Sequence, residues 1–404
     1  LVGTVEAEVA IIGAGYSGLS TALALAARGA SVAVLEAAAP GAGASGQNGG
    51  QVIPGFKHFV GDAMAVYGAV RGAALHALGA RAADITFDLI ARHGIACDAR
   101  RDGWIQAADT AAALAEGARR AEAWQRFGAP VRNLSREEII ALTGCAAYLG
   151  GWIHEGGGSV QPLAYARGLA SAAVAAGVGL YAPSRATSIV RDGTSWRVAT
   201  AEGVVRARRV LIATNALAGD LWPGLAATMI PVWSFQVATE ERAVSATMPV
   251  VSDTRRVLRY FRADRDGRLV VGGKGTLGAP RGAGSFALQR HMIARLYPAL
   301  ADAPLAFGWG GQVAITLDRL PRLFALADGV FATIGCNGKG IAWCTAEGPE
   351  LAALLLGEEP IALPPVEPLR GIPLHALKAL YAAAGSVWYR FRDRLDRSPL
   401  PRQA

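Results

Sequence analysis

An α/β fold with an antiparallel β unit inserted into it is predicted by three features of this 404-residue sequence. A strand, a glycine loop, a helix and a second strand follow one another between Glu8 and Leu35. A strand with a glycine-rich turn that opens a long helix returns after Val330. Between them, from Met229 to Gly273, lie short strands of antiparallel character, too aromatic to form another strand–helix–strand unit.

The totals agree with a large folded core. The length suggests two or three structural units. Hydrophobic residues make up 52% and charged residues 18%, which excludes a disordered chain. The net charge of +8 is spread along the chain without a nucleic-acid-binding signature. It reads either as a preference for anionic small molecules or as ordinary Arg-rich composition, and nucleic acid is not an expected partner. Cys97, Cys145, Cys336 and Cys344 show neither CxxC spacing nor a disulfide ladder, so no metal site is expected and a reducing compartment fits. With no leader pattern and no run of eighteen apolar residues, the expectation is a cytoplasmic protein without membrane contact.

Taken in order, Glu8 to Ile12 is a β-branched run ending in glycines, Tyr16 to Arg28 has a helical apolar period closed by Gly29, and Ser31 to Leu35 is the second strand. Gly61 to His93 and Asp109 to Phe127 read as amphipathic helices. Ser135 with Glu138 makes a capping box, and Pro162 starts a helix that runs to Gly177. Strands follow at Thr187 to Val190, Trp196 to Thr200 and Val210 to Ala213, the last leading through Thr214 and Asn215 into a helix. A helix from Ser285 to Pro298 precedes strands at Gln312 to Thr316 and Val330 to Ile334. His375 to Arg397 is a basic amphipathic helix, either docked on the protein's own surface or serving a membrane or a partner. There is no internal repeat and no low-complexity linker.

Gly13-Ala14-Gly15-Tyr16-Ser17-Gly18 is GxGxxG placed after a strand and before a helix. There the glycines allow a tight turn, and backbone N–H groups at the helix start can meet a pyrophosphate, as in a Rossmann-like unit. Glu36 ends the second strand, where a carboxylate accepts hydrogen bonds from ribose hydroxyls and repels a 2′-phosphate. A chance glycine loop is the alternative. Gly43-Ala44-Ser45-Gly46-Gln47-Asn48-Gly49-Gly50-Gln51 is a second small, polar loop, suited to lie along an extended diphosphate and reach a flavin ring, which favours FAD over NAD.

At these two loops, at Val210 to Asn215, and at Gly335-Cys336-Asn337-Gly338-Lys339-Gly340, the sequence resembles the D-amino-acid oxidase and sarcosine oxidase family of flavoproteins, in particular its bacterial γ-glutamylputrescine oxidase-like branch. The resemblance covers most of the chain. It implies a Rossmann-like FAD-binding domain with an inserted antiparallel-sheet substrate domain. The parts would be FAD-binding at 1–95, substrate-domain helices at 96–150, FAD-binding at 151–225, substrate sheet at 226–308, FAD-binding at 309–365, and a C-terminal helix and tail at 366–404. It places Gly13, Ala14, Gly15, Tyr16, Ser17, Gly18, Glu36, Ala44, Ser45, Gly46, Asn48, Gly49, Gly50, Gln51, Thr214, Asn215, Gly338, Lys339, Gly340 and Ile341 at the cofactor. Backbone N–H groups of the last element would stabilise reduced flavin, although a plain glycine helix start gives the same pattern. Two departures stand out. Gly311, before Thr316 and Asp318, replaces the cysteine that links flavin in sarcosine oxidase, which implies non-covalent FAD. Ala342 stands where that enzyme has a carboxylate-holding lysine.

The flavin's open face is expected to look toward the inserted sheet. Tyr260, Phe261 and Arg262 on one strand, with Trp309 and Trp343 near the late glycine loops, are candidate substrate contacts. Each aromatic is equally at home in a core, and Arg262 in a salt bridge. Lys274 is the candidate catalytic cation, stabilising superoxide during reoxidation. Lys57 and His58 either face the site or lie on the surface. The implied reaction is hydride transfer from the α-carbon of a small amine or amino acid to flavin N5, imine hydrolysis, and reoxidation by O2 as electron acceptor to give H2O2. An anionic secondary amino acid such as sarcosine or iminodiacetate suits a basic pocket; a polyamine conjugate would require acids, for which Glu155 is the candidate. The rivals are a flavin dehydrogenase that passes electrons to a quinone or carrier, and a non-catalytic FAD-binding or tRNA-modification module.

Overall fold

The computed structural model describes residues 1–56, 62–275 and 278–395. Lys57 and His58 lie outside them. Strand Gly3–Ile12 is the centre of the first layer, its last four residues fully buried as the continuous apolar run requires. It pairs in parallel with Val32–Leu35 on one side and Gly203–Ile212 on the other. Among the described residues the sheet has nine strands, in the order Val366–Pro368, Arg322–Ala327, Val330–Ile334, Gly203–Ile212, Gly3–Ile12, Val32–Leu35 and Gly179–Tyr181. Ser195–Ala199 and Ser188–Asp192 branch from Gly203–Ile212 as an antiparallel ribbon. Helices Tyr16–Ala26, Pro162–Ala175 and Gly340–Leu355 pack together on one face, where Leu19, Leu25, Tyr165, Leu169 and Leu351 are wholly buried.

The second layer is an eight-stranded sheet in the order Leu305–Ile315, Ile230–Thr239, Leu269–Lys274, Arg259–Ala263, Val250–Asp253, Trp104–Ala108, Gly150–His154 and Val131–Ser135. It is antiparallel except where Val250–Asp253 runs parallel to Trp104–Ala108. Helix Ala287–Leu296 and the short helix Arg136–Thr143 close its outer face over Phe235, Phe261 and Tyr148.

Several expected limits shift. Residues 96–150 contribute strands to the second sheet as well as helices, so that region is not helical throughout. Gly150–His154 and Leu305–Ile315 carry the second sheet across the expected limits at 150/151 and 308/309. The helix expected from Gly61 to His93 is two, Asp62–Tyr67 and Ala69–Arg92, because Gly68 takes φ +80° between them. Asn215–Leu217 is a single 3-10 turn rather than the start of a helix. The capping box forms as read: Ser135 Oγ accepts from Glu138 N at 3.2 Å while Glu138 Oε2 accepts from Ser135 N at 2.8 Å. The basic C-terminal helix spans Lys378–Leu395. Among the described residues, no helix is long and apolar enough to cross a membrane.

Candidate functional site

A cavity of about 890 Å³ lies between the carboxyl ends of the central parallel strands and the second sheet, the place where open α/β sheets hold ligands. At its first end Gly13, Ala14, Gly15, Tyr16 and Ser17 form the wall. Strand Gly3–Ile12 has to turn immediately into helix Tyr16–Ala26, and Gly13 does so at φ +108°, where a Cβ would meet Ala213 O at 2.9 Å. Gly18 is set back from the cavity; a Cβ there would stand 2.0 Å from Gly13 O, so its part is to let the helix close on its own loop. The helix has neither a side-chain cap nor an acid in its first turn. Tyr16 N donates to Ser45 Oγ at 3.1 Å, and the following N–H groups and the positive dipole end face the cavity, ready for an anion. Glu36 accepts from Ala14 N at 2.9 Å with one carboxylate oxygen and from Ala38 N at 3.0 Å with the other.

Ala44, Ser45, Asn48, Gly49 and Gln51 continue the wall, while Gly46 and Gly50 do not reach it. A Cβ at either would come within 2.4 Å of a backbone oxygen, so both serve the loop's tight packing. Asn48 ties the loop by donating to Ser45 O at 2.8 Å and accepting from Gly50 N at 2.8 Å. Across the cavity stand Thr214, Asn215, Gly338, Gly340 and Ile341. Thr214 Oγ1 is buried there without a hydrogen-bond partner among the described residues, and helix Gly340–Leu355 also starts without a side-chain cap or a first-turn acid. Two uncapped helix starts, a ribose-type carboxylate and an orphaned hydroxyl are a donor set that fits a dinucleotide. Lys339 turns away instead: Nζ donates to Pro54 O at 3.0 Å and Phe56 O at 2.9 Å and lies over the Trp104 ring.

The far wall is the second sheet. Tyr260 and Lys274 line it together with Ser234 and Gln236. Ser234 Oγ donates to Gly273 O at 3.1 Å, which leaves it to accept from Tyr260 Oη at 2.8 Å; Tyr260 Oη then accepts from Gln236 Nε2 at 2.6 Å. The chain of single protons locks the tyrosine, and burial raises its pKa against the lowering effect of the two hydrogen bonds. Lys274 ends strand Leu269–Lys274 opposite Ser234.

Four expected substrate contacts are not on this wall, and the first of them, Phe261, is wholly buried in the core of the second sheet. Arg262 is buried against the second glycine loop, where Nε donates to Gly49 O at 2.7 Å and Nη1 to Ala263 O at 2.9 Å; burial pulls its pKa down to about 10. It holds the loop instead of clamping a carboxylate. Trp309 lies in register with Gln236 but on the last strand of the sheet, outside the lining. Trp343 is core, packed on Phe56 at 4.8 Å between ring centroids and on Leu75. Ala342 is likewise buried in the core. Glu155 is exposed and 3.7 Å from Arg132, away from the cavity. Gly311 does line it, and a Cβ there would meet Gln47 O at 3.0 Å, so the crossing loop occupies the space of any side chain.

Sequence reasoning missed Ser234, Gln236, Gln47, Arg185, Arg256 and Arg319, which reach the cavity from segments far apart in the chain. It also passed over Cys336 and Cys344 at the lining. The Cys344 thiol donates to Cys336, which holds Cys336 below the usual thiol range, while that partner and burial push Cys344 up. Among the described residues no cluster of metal-ligating side chains occurs.

Residues 8–354 match the family model described as FAD dependent oxidoreductase. The chain is 31% identical to gamma-glutamylputrescine oxidoreductase of Escherichia coli (strain K12), over 97% of this chain and 94% of that protein. It is 28% identical to glycine oxidase of Geobacillus kaustophilus (strain HTA426), over 87% of this chain and 93% of that protein. The crystal structure of glycine oxidase from Geobacillus kaustophilus superposes with a TM-score of 0.75 at 25% identity, covering 88% of this chain and 95% of that one. The chain thus belongs to the family of FAD dependent oxidoreductases, whose cofactor the cradle of the two glycine loops and Glu36 fits.

Proposed function

We propose that this FAD-dependent oxidoreductase is an oxidase of a small amine, specifically a secondary or N-substituted amino acid of the sarcosine or iminodiacetate kind, and that it holds FAD without a covalent bond. The observation that carries the substrate class is the charge of the cavity wall. Arg185, Arg256, Lys274 and Arg319 line it against the carboxylates of Glu36 and Asp220. Glu36 is engaged at the nucleotide end and Arg256 is paired with Asp393, and the lining still holds Arg185, Lys274 and Arg319 beside Asp220, which favours an anionic substrate.

When bound, FAD supplies the acceptor for the hydride that leaves the substrate's α-carbon and delivers the electrons to oxygen. The chain's own task is to orient a neutral amine and keep water out. Tyr260, fixed by Ser234 and Gln236, gives a rigid wall. Lys274 sets a cation at the same wall, the group on which oxygen reduction would depend. No buried acid or base is required of the substrate end, because the amine nitrogen's lone pair drives hydride departure.

A polyamine conjugate is the second reading, favoured by the 31% identity to gamma-glutamylputrescine oxidoreductase. Peroxide release from a panel of sarcosine, iminodiacetate, glycine, proline and γ-glutamylputrescine separates the two. Turnover of the secondary amino acids supports the proposal. Turnover of γ-glutamylputrescine alone replaces it, and flavin reduction without peroxide in air identifies a dehydrogenase.

A further inference from the structure

The helix Lys378–Leu395 lies on the body of the protein with its polar side inward. Asp393, with only 10% of its side chain exposed, accepts from Arg256 N at 3.2 Å, Arg256 Nη1 at 3.3 Å and Val257 N at 3.1 Å. Gly385, on the same helix, borders the cavity. At helical spacing, Leu380, Val387, Trp388, Phe391 and Leu395 fall within an arc of about 100°, nearly opposite Asp393. All five are between 49% and 70% exposed. An amphipathic helix normally buries such a stripe. Here the polar side is used for docking and the apolar side is left outward.

The charge on the same element indicates what covers it. Lys378, Arg390, Arg392 and Arg394 stand against Asp393 alone, and that carboxylate is already engaged. The Arg392 guanidinium lies 5.8 Å from the Trp388 ring centroid, so a cation and the aromatic belong to one surface. An outward stripe containing Trp and Phe, accompanied by cations, has the composition of a helix that lies in the plane of a membrane interface. A second protein chain would match the apolar stripe but gives no reason for the excess of cations. We infer that this helix docks the protein on an anionic lipid bilayer surface, with the stripe entering the headgroup region and the cations of the helix, Arg392 beside Trp388 among them, drawn to acidic lipids. Through Gly385 the docked helix would also hold the cavity beside the lipid. The sequence left docking on the protein's own surface and binding to a membrane or partner as alternatives, because it does not reveal which side of the helix the body takes.

The test uses the FAD-loaded full chain and the variants Trp388→Ser/Phe391→Ser, at exposed positions, and Arg392→Glu, at a half-buried one, none of them in the cavity lining. Flotation is measured with vesicles of phosphatidylcholine alone and of phosphatidylcholine mixed with phosphatidylglycerol. The expected result is flotation with the mixed vesicles, weakened by added salt. Binding should fall about tenfold or more in the double serine variant and fall in Arg392→Glu, with bound FAD unchanged in each. Failure to float with anionic vesicles at low salt overturns the inference, as does equal flotation of the double serine variant. Sedimentation velocity on the same samples covers the other occupant. A dimer that the double serine variant dissolves, without any vesicle binding, assigns the stripe to a second copy of the chain and also overturns the inference.

Discussion

Replacing Glu36 by Ala should weaken FAD binding while leaving FMN binding unchanged. A carboxylate offers about four acceptor positions. Backbone N–H groups of Ala14 and Ala38 take one on each oxygen, at 2.9 and 3.0 Å. The remaining positions face the cavity, where two ribose hydroxyls would be held. Hydrogen bonds to a charged acceptor contribute about 1.5–3 kcal/mol each, so losing two costs about 3 kcal/mol or more, roughly a hundredfold in Kd. FMN has the same ring and first phosphate but no adenosine ribose, so it does not meet this carboxylate. Equilibrium dialysis of the apoprotein with each flavin gives both constants, and the melting temperature of the apoprotein shows how far the loop itself is loosened. An FAD affinity within about threefold of the parent, or an equal loss for FMN, would refute the ribose assignment.

Acid or heat should release the yellow colour into the supernatant, since Gly311 offers no thiol and Gln47 crosses where one would stand; flavin that remains with the precipitate contradicts non-covalent binding. Lys274→Met should slow reoxidation in stopped flow by orders of magnitude, each tenfold being about 1.4 kcal/mol of barrier, with anaerobic reduction changed far less. Fast reoxidation with collapsed reduction would assign Lys274 to substrate binding instead. Burial raises Glu347 to about 7, so the folded state holds its proton where the unfolded chain has lost it. That stabilising contribution is complete below the ordinary carboxyl pKa and is lost as pH rises toward about 7, a change on the order of 3 kcal/mol. Glu347→Gln should therefore flatten the fall in melting temperature across that window, and a parallel fall in both proteins would refute the assignment.

The nucleotide end was legible because its chemistry is local. GxGxxG and Glu36 sit on consecutive turns of chain, and the backbone constraint at Gly13 or Gly18 is visible in residue type alone. The substrate end was legible only in part. Period-two alternation puts Tyr260 and Arg262 on one face of their strand, yet only Tyr260 reaches the cavity, because Gly49 O captures the guanidinium across the fold. Lys339 and Trp343 flank residues that do line the site, but a loop or helix presents just part of itself: Gly340, Ile341 and Cys344 face the cavity while Trp343 packs on Phe56. Ser234 and Gln236 gave no signal, since small polar residues on a buried strand acquire meaning only from Tyr260 on a strand brought near by pairing. Lys274 and Tyr260 were reached because a cation and an aromatic near a glycine-containing strand end already suggest a charged, walled pocket.

The most direct test of the central claim is anaerobic mixing of the FAD-loaded protein with sarcosine or iminodiacetate while the flavin absorbance is followed. The account predicts bleaching of the oxidised flavin band by at least one of these amino acids and, on admission of air, its return with hydrogen peroxide formed in equal amount to the flavin reduced. A fully FAD-loaded protein that none of the panel amines bleaches would contradict it.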